Sequence, residues 1–185
     1  MERTGVQKLA HVLTILVTIT FVCNLIALIM VPGLVHIGSQ QGLAAWWDYD
    51  IDDTLHMLLI GGWSMWGRNG IQADVLSGFL LFCGACTAAI LWQGRRVLGT
   101  VLKGTPFCLE NAKSLLGSAV LCFLISGAAL VRVIWRICYA QSIAPLFSYN
   151  TLFVPLFFLA GLLCLVISAL FRQAAEMKAE NDLTI

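Results

Sequence analysis

Four stretches of this chain, 9–31, 75–92, 115–137 and 152–171, are almost uninterrupted apolar sequence. Crossing a hydrocarbon core about 30 Å thick takes about 20 helical residues. Inside lipid every backbone N–H and C=O must be satisfied by the chain itself, and a helix does this within one segment. Over the 185 residues, 59% are hydrophobic and only 11% charged, where a soluble domain carries about a quarter of charged residues. The solvent is therefore a bilayer. The predicted fold is all-α, an integral membrane four-helix bundle forming one domain over 1–185.

Arg3 and Lys8 precede the first stretch, as basic residues precede a secretory signal. Its apolar run exceeds the roughly 7–15 residues of a signal core, and no small-x-small cleavage site follows at once. It is expected to stay in the mature protein as a span.

Lys and Arg placement orients the bundle, because basic flanks resist translocation. Arg3, Lys8, Arg95, Arg96, Lys103, Lys113, Arg172 and Lys178 fall on one side; Arg68, Arg132 and Arg136 fall on the other, which has no Lys. Both termini are expected in the cytoplasm, with outer loops at about 32–74 and 138–151 and a cytoplasmic tail at 172–185. A net charge of +1 gives the chain no footprint for direct nucleic-acid binding. Of the seven Cys, only Cys138 lies near the outer face, so a disulfide framework is not expected there.

The long outer loop opens on Pro32 and Gly33, which are expected to end the first helix. In its AAWWDYDIDD run, Asp48, Asp50 and Asp52 alternate with Trp47, Tyr49 and Ile51. In extended backbone this alternation gives one anionic edge and one apolar edge, suited to lying along the membrane surface. Trp46, Trp47, Trp63, Trp66, Trp135, Tyr139 and Tyr149 map to the same boundary as an interfacial aromatic belt. Within the spans, Ser114, Ser118, Cys122 and Ser126 make one stripe of small residues, and Gly84, Ala85, Ala88 and Ala89 another. Close packing of helices places both inside the bundle.

DYDIDD begins like a calcium loop, but Asp53 stands where that loop needs Gly and Leu59 where it needs Glu. His56 one helical turn from Asp52 and Asp53 leaves a weak cation site, which a solvated acidic loop outweighs. Arg132 and Arg136, a turn apart near the outer end of the third span, are costly there without partners. The candidates are Asp48, Asp50, Asp52 and Asp53 on the same side, which we favour, or an anionic lipid or other ligand. Cys83-Gly-Ala-Cys86 has redox spacing but a mid-membrane helical setting, where packing is the expected role. H-E-x-x-H, G-x-S-x-G and a phosphate-cradling loop are absent from the sequence. The expectation is a protein that is not an enzyme and needs no cofactor.

Between the second and third stretches lies GTPFCLENAK, 104–113. Gly104 suits a helix C-terminus, Thr105-Pro106 a turn, and Glu110 the first turn of a new helix, where a carboxylate meets the positive dipole end. Cys108 in the capping position is a poor cap. PFCLENAKSL and the C-terminal FRQAAEMKAENDLTI together resemble the two signature segments of a bacterial family of four-helix membrane proteins catalogued as domain of unknown function 2975. The resemblance implies a multi-pass protein of the bacterial inner membrane. It also implies a partner, since members of the family often look like one half of a pair with a small helix-turn-helix DNA-binding protein of the Cro/C1 type.

These readings predict an interaction protein that holds or signals to a cytoplasmic helix-turn-helix regulator through Glu110, Asn111, Lys113, Arg172, Glu176, Glu180, Asn181, Asp182, Leu183 and Ile185. An ion pair between Glu110 and Arg172 is expected to join the two segments. The lipid bilayer is the other partner, and a homo-oligomer is compatible with the sequence. The alternative is a small-molecule, lipid or peptide binder or transporter using the outer acidic loop with Arg132 and Arg136.

Overall fold

The computed structural model describes residues 5–40, 51–68 and 70–182. Among them all regular structure is helical. Four long helices carry the architecture: α1 (Gly5–Gln40), α4 (Ile71–Leu102), α5 (Leu109–Ala140) and α6 (Phe153–Asp182). Two short ones, α2 (Ile51–His56) and α3 (Gly62–Met65), flank a π-helical turn at Met57–Gly61. Each long helix is apolar enough to cross a membrane; α1, α4 and α5 contain the first three predicted spans, and α6 covers the fourth from Phe153 on. At 1.5 Å per residue, the 32-residue α4 and α5 are about 48 Å long and overrun a hydrocarbon core of about 30 Å. Turns at the helix ends therefore reach the headgroups and beyond, where polar side chains are affordable.

By packing, the chain divides into two compact units, one of Val22–Ala85 and one of the residues up to Phe21 with those from Cys86 onward. In the first unit, α1 continues through Pro32, against the expectation that Pro32 and Gly33 would end it. The cause is tertiary. The backbones of Gly33 and Gly62 lie against each other: a Cβ on Gly33 would stand 2.6 Å from the Cα of Leu58, and one on Gly62 would collide with Gly33. Trp63 Nε1–H also donates to the Ile29 carbonyl at 2.8 Å, in the turn that proline disturbs. That carbonyl is one residue beyond that of Leu28, which the missing N–H of Pro32 would have bonded, so the Met57–Met65 segment packs directly on the proline turn. Val31, Val35 and Ala73 form the apolar core beside this contact, with Leu76, Leu80 and Leu81 against it. Further along, the Gly67 N–H donates to Asp74 Oδ1 at 3.0 Å, and the positive φ of Gly67 and Gly70 suits glycine at this bend.

The acidic segment is corrected in part. Asp48 and Asp50 lie outside the described residues, as do Trp46 and Trp47. From Ile51 onward the chain is helix, with Asp52 and Asp53 exposed in the first turn of α2. Carboxylates there face the positive end of the helix dipole, which competes with the extended alternation. Among the described residues no group of three His, Cys, Asp or Glu is placed to hold a metal ion. Among the residues read as a belt, Trp63 lies edge-on to Trp66 at 5.6 Å and Trp135 stacks on Tyr139 at 5.4 Å.

In the second unit, α5 is the helix with the deepest buried face. Ser114, Ser118, Cys122 and Ser126 are all buried on it, joined by Ala119, Ile125, Ala129 and Val133. α6 packs antiparallel along α5, with Phe123 edge-on to Phe158 at 5.6 Å and its ring over Gly161, where a Cβ would come within 2.9 Å. Ser126 Oγ donates to the Val154 carbonyl at 2.8 Å. The α4 stripe, whose Gly84 and Ala85 belong to the first unit, is less regular than expected: Ala85 is exposed and Cys86 is the buried residue. Phe21 and Trp92 rings meet at 6.0 Å, and the Arg95 guanidinium lies 5.7 Å over Trp92, a cation–π arrangement. Arg132 and Arg136 sit half-buried on α5 one turn apart. Beyond α5, Ser148 and Thr151 hydroxyls both donate to the carbonyl of the buried Pro145, at 2.7 and 3.0 Å, holding the turn into α6.

Candidate functional site

The turn from α4 into α5 is a closed hydrogen-bonding device. At the end of α4 the Gly104 N–H bonds the Val101 carbonyl at 3.1 Å and the Thr105 N–H bonds the Thr100 carbonyl at 3.1 Å. With Gly104 at φ +78°, this is a Schellman C-cap, a conformation glycine adopts without penalty. Cys108 is the N-cap of α5 in extended backbone, and its side chain makes no cap, as its chemistry predicts.

Asn111 anchors the same turn by a different route, as a donor and not as a cap acceptor. Its side chain is only 2% exposed, and Nδ2 donates to Thr100 Oγ1 and to the Pro106 carbonyl, each at 2.6 Å. The Thr100 hydroxyl gives its own proton to the Val97 carbonyl at 2.7 Å, so it faces Asn111 as an acceptor. Two acceptors converge on one NH2 group, which sets the orientation of the amide. Asn111, predicted to face a partner, is therefore a clamp within the chain.

A second polar clamp lies about two turns further along α5. Ser118 Oγ–H is shared between Gln93 Oε1 at 2.6 Å and the Ser114 carbonyl at 3.1 Å. The Gln93 amide rests on Gly117, where a Cβ would come within 2.9 Å of Nε2. Ser168 Oγ of α6 donates to the Ala112 carbonyl at 2.7 Å, and Phe107 meets Phe171 at 5.5 Å. Hence α5 is tied to α4 by Asn111 and Ser118 and to α6 by Ala112 and Phe107. Gln93, Thr100 and Ser168 were not singled out from sequence. The available signal was a lone amide or hydroxyl in an apolar run, which polar bonding between membrane helices uses.

Beside this tie, α5 and α6 border a groove of about 620 Å³ lined by Leu109, Ala112, Lys113 and Leu116 from α5 and by Leu165, Ser168, Ala169, Arg172 and Glu176 from α6. Each set recurs every three or four residues and so forms one helical face. Lys113, Arg172 and Glu176, predicted together, do meet here. Glu110 does not line the groove. One residue beyond Leu109 turns it about 100° off that face, and it is exposed.

The expected Glu110–Arg172 pair is replaced by one within α6. Arg172 Nε donates to Glu176 Oε1 at 2.9 Å. Residues four apart on a helix are neighbours already, so this pair needs no inter-helix geometry. Hydrogen bonding to Glu176 and its charge push the Arg172 guanidinium above its ordinary value, leaving it a permanent cation. Glu180 and Asn181 are exposed further along α6, which extends to Asp182; Leu183 and Ile185 lie outside the described residues.

Comparison with curated proteins and with solved structures finds no match. The model of one family, described as a protein of unknown function (DUF2975), matches residues 49–185, a range that takes in the α4–α5 turn, the groove and the α6 extension. The chain thus belongs to the DUF2975 family of unknown function, as a protein with four helices long and apolar enough to span a membrane.

Proposed function

We propose that this protein is a regulatory or interaction protein of the bacterial inner membrane, not an enzyme, whose cytoplasmic end docks a small helix-turn-helix transcription regulator. The observation that carries the reading is the form of α6 beyond Phe171. It runs on as helix to Asp182, about 16 Å past the apolar stretch, with Gln173, Glu176, Lys178, Glu180 and Asn181 exposed. A helix that projects polar side chains from a hairpin tied at its base is a rigid presentation surface, and rigidity lowers the ordering cost of binding. With Glu176 already matched by Arg172, Glu180 and Asp182 outnumber Lys178 on the rest of the arm, a sign suited to a basic DNA-binding domain.

The test is capture of the regulator from detergent-solubilised membranes by the intact chain, by a chain lacking 176–185, and by Glu180→Lys with Asp182→Lys. Truncation is expected to abolish capture and the double reversal to weaken it strongly, while insertion and folding persist. Equal capture by all three would refute the docking role of α6.

Orientation has its own expected result. A cysteine placed at position 180 should react with a membrane-impermeant thiol reagent only after the cells are opened. Labelling from outside intact cells would reverse the proposed topology.

A further inference from the structure

The groove between α5 and α6 has a chemistry that the docking role of the α6 arm does not use. Its floor is made by the buried Ala112 and Ser168, and the exposed Ala169 lines it beside them, short side chains that leave the volume open. The polar groups of that floor are already satisfied, because Ser168 donates to the Ala112 carbonyl at 2.7 Å. What remains is apolar surface continued by Leu116 and Leu165. The charges stand at one end. Lys113 is the last charge of α5 before the apolar run that reaches Val131, and Arg172 is the first charge of α6 after its own apolar run. The rim therefore lies at headgroup level and the floor within the hydrocarbon, where acyl chains are the available filler.

We infer that this groove binds an anionic phospholipid, with its phosphate between Lys113 and Arg172 and an acyl chain along Leu116, Leu165 and Ala169. Charge complementarity supports this occupant, since the lining holds two cations and one carboxylate. Among the described residues Lys113 makes no ion pair. Arg172 commits Nε to Glu176, and its terminal nitrogens remain as donors in a planar fork that fits a phosphate. From Arg172 to Leu165 the groove runs about 10 Å along α6, enough for a glycerol backbone and the start of a chain. Basic pockets between membrane helices on the cytoplasmic side are a recurrent setting for acidic headgroups.

The test uses the full chain in dodecyl maltoside, titrated with dioleoylphosphatidylglycerol, dioleoylphosphatidylcholine or inorganic phosphate, with bound lipid counted by native mass spectrometry. The wild type is expected to favour phosphatidylglycerol over phosphatidylcholine by about fivefold or more, one net interfacial charge being worth about that factor. Lys113→Gln with Arg172→Gln should erase the preference. Ala169→Phe should lower phosphatidylglycerol occupancy by filling the groove. Glu176→Gln should raise the preference about fivefold by removing the competing carboxylate, a gain that misfolding cannot imitate. The proposal is overturned by equal retention of the two lipids, by an unchanged preference in the double Gln variant, or by inorganic phosphate displacing the lipid. It is overturned equally if Ala169→Phe dissociates an oligomer in light scattering while the lipid count stays constant, for the groove would then be covered by a second copy.

Discussion

Asn111→Leu is expected to destabilise the protein by about 1–3 kcal/mol, because it removes the buried donor of two partly buried acceptors, whose loss water offsets only in part. The orphaned atoms are the Pro106 carbonyl and Thr100 Oγ1, both now bonded at 2.6 Å. The sharper variant is Asn111→Asp, which keeps the shape and removes only the NH2. A carboxylate there would face two acceptors from a position with little access to water, so it is expected to be at least as damaging as Leu. A purely space-filling role predicts the reverse, with Asp nearly neutral. Denaturation midpoints in mixed detergent separate the two cases. Limited proteolysis of the 103–108 turn should report the same order, since its backbone loses its anchor when the amide is gone.

Gly62→Ala and Gly33→Ala are expected to disrupt the contact between α1 and the Met57–Met65 segment, each at about 1–3 kcal/mol or more, the cost of overpacking. The upper end is favoured because the obstacle is backbone. A Cβ on Gly33 meets the Leu58 Cα and the Leu58 and Met57 carbonyl oxygens at 2.6, 2.8 and 2.8 Å, and one on Gly62 meets the backbone of Gly33 itself. Neither neighbour has a rotamer to give. Because the two positions share one contact, the double variant should cost less than the sum of the singles. Cysteines at positions 29 and 63 would report the separation directly: efficient cross-linking in the parent background should fall in either Ala variant. Undiminished cross-linking with an unshifted midpoint in both would remove the close approach as the reason that α1 runs through Pro32.

Membrane character and the number of long apolar helices were legible in the sequence, because both follow from uninterrupted apolar length. The buried serine stripe of α5 was legible through its four-residue repeat, and the C-cap at Gly104 through the local chemistry of glycine before Thr-Pro. Helix limits were less so. Pro32 and Gly33 read as a stop by local rules, whereas a glycine thirty residues away let two backbones touch and carried the helix past the proline.

The candidate site divides in the same way. That Lys113, Arg172 and Glu176 share one end of the protein follows from counting spans, and their presence on one groove agrees with it. Which side chain faces outward was decided by tertiary structure. Asn111 and Glu110 are adjacent in a polar sequence, yet the 100° step between them buries one as a clamp and leaves the other in the open. Arg172 found Glu176 rather than Glu110 because a partner one turn along the same helix is held in place before any two helices meet. The sequence by itself determined the solvent, the spans and the positions of the charges along each helix, since these depend on composition and period alone. Only the packed structure decided which polar groups are consumed inside the protein and which remain at its surface.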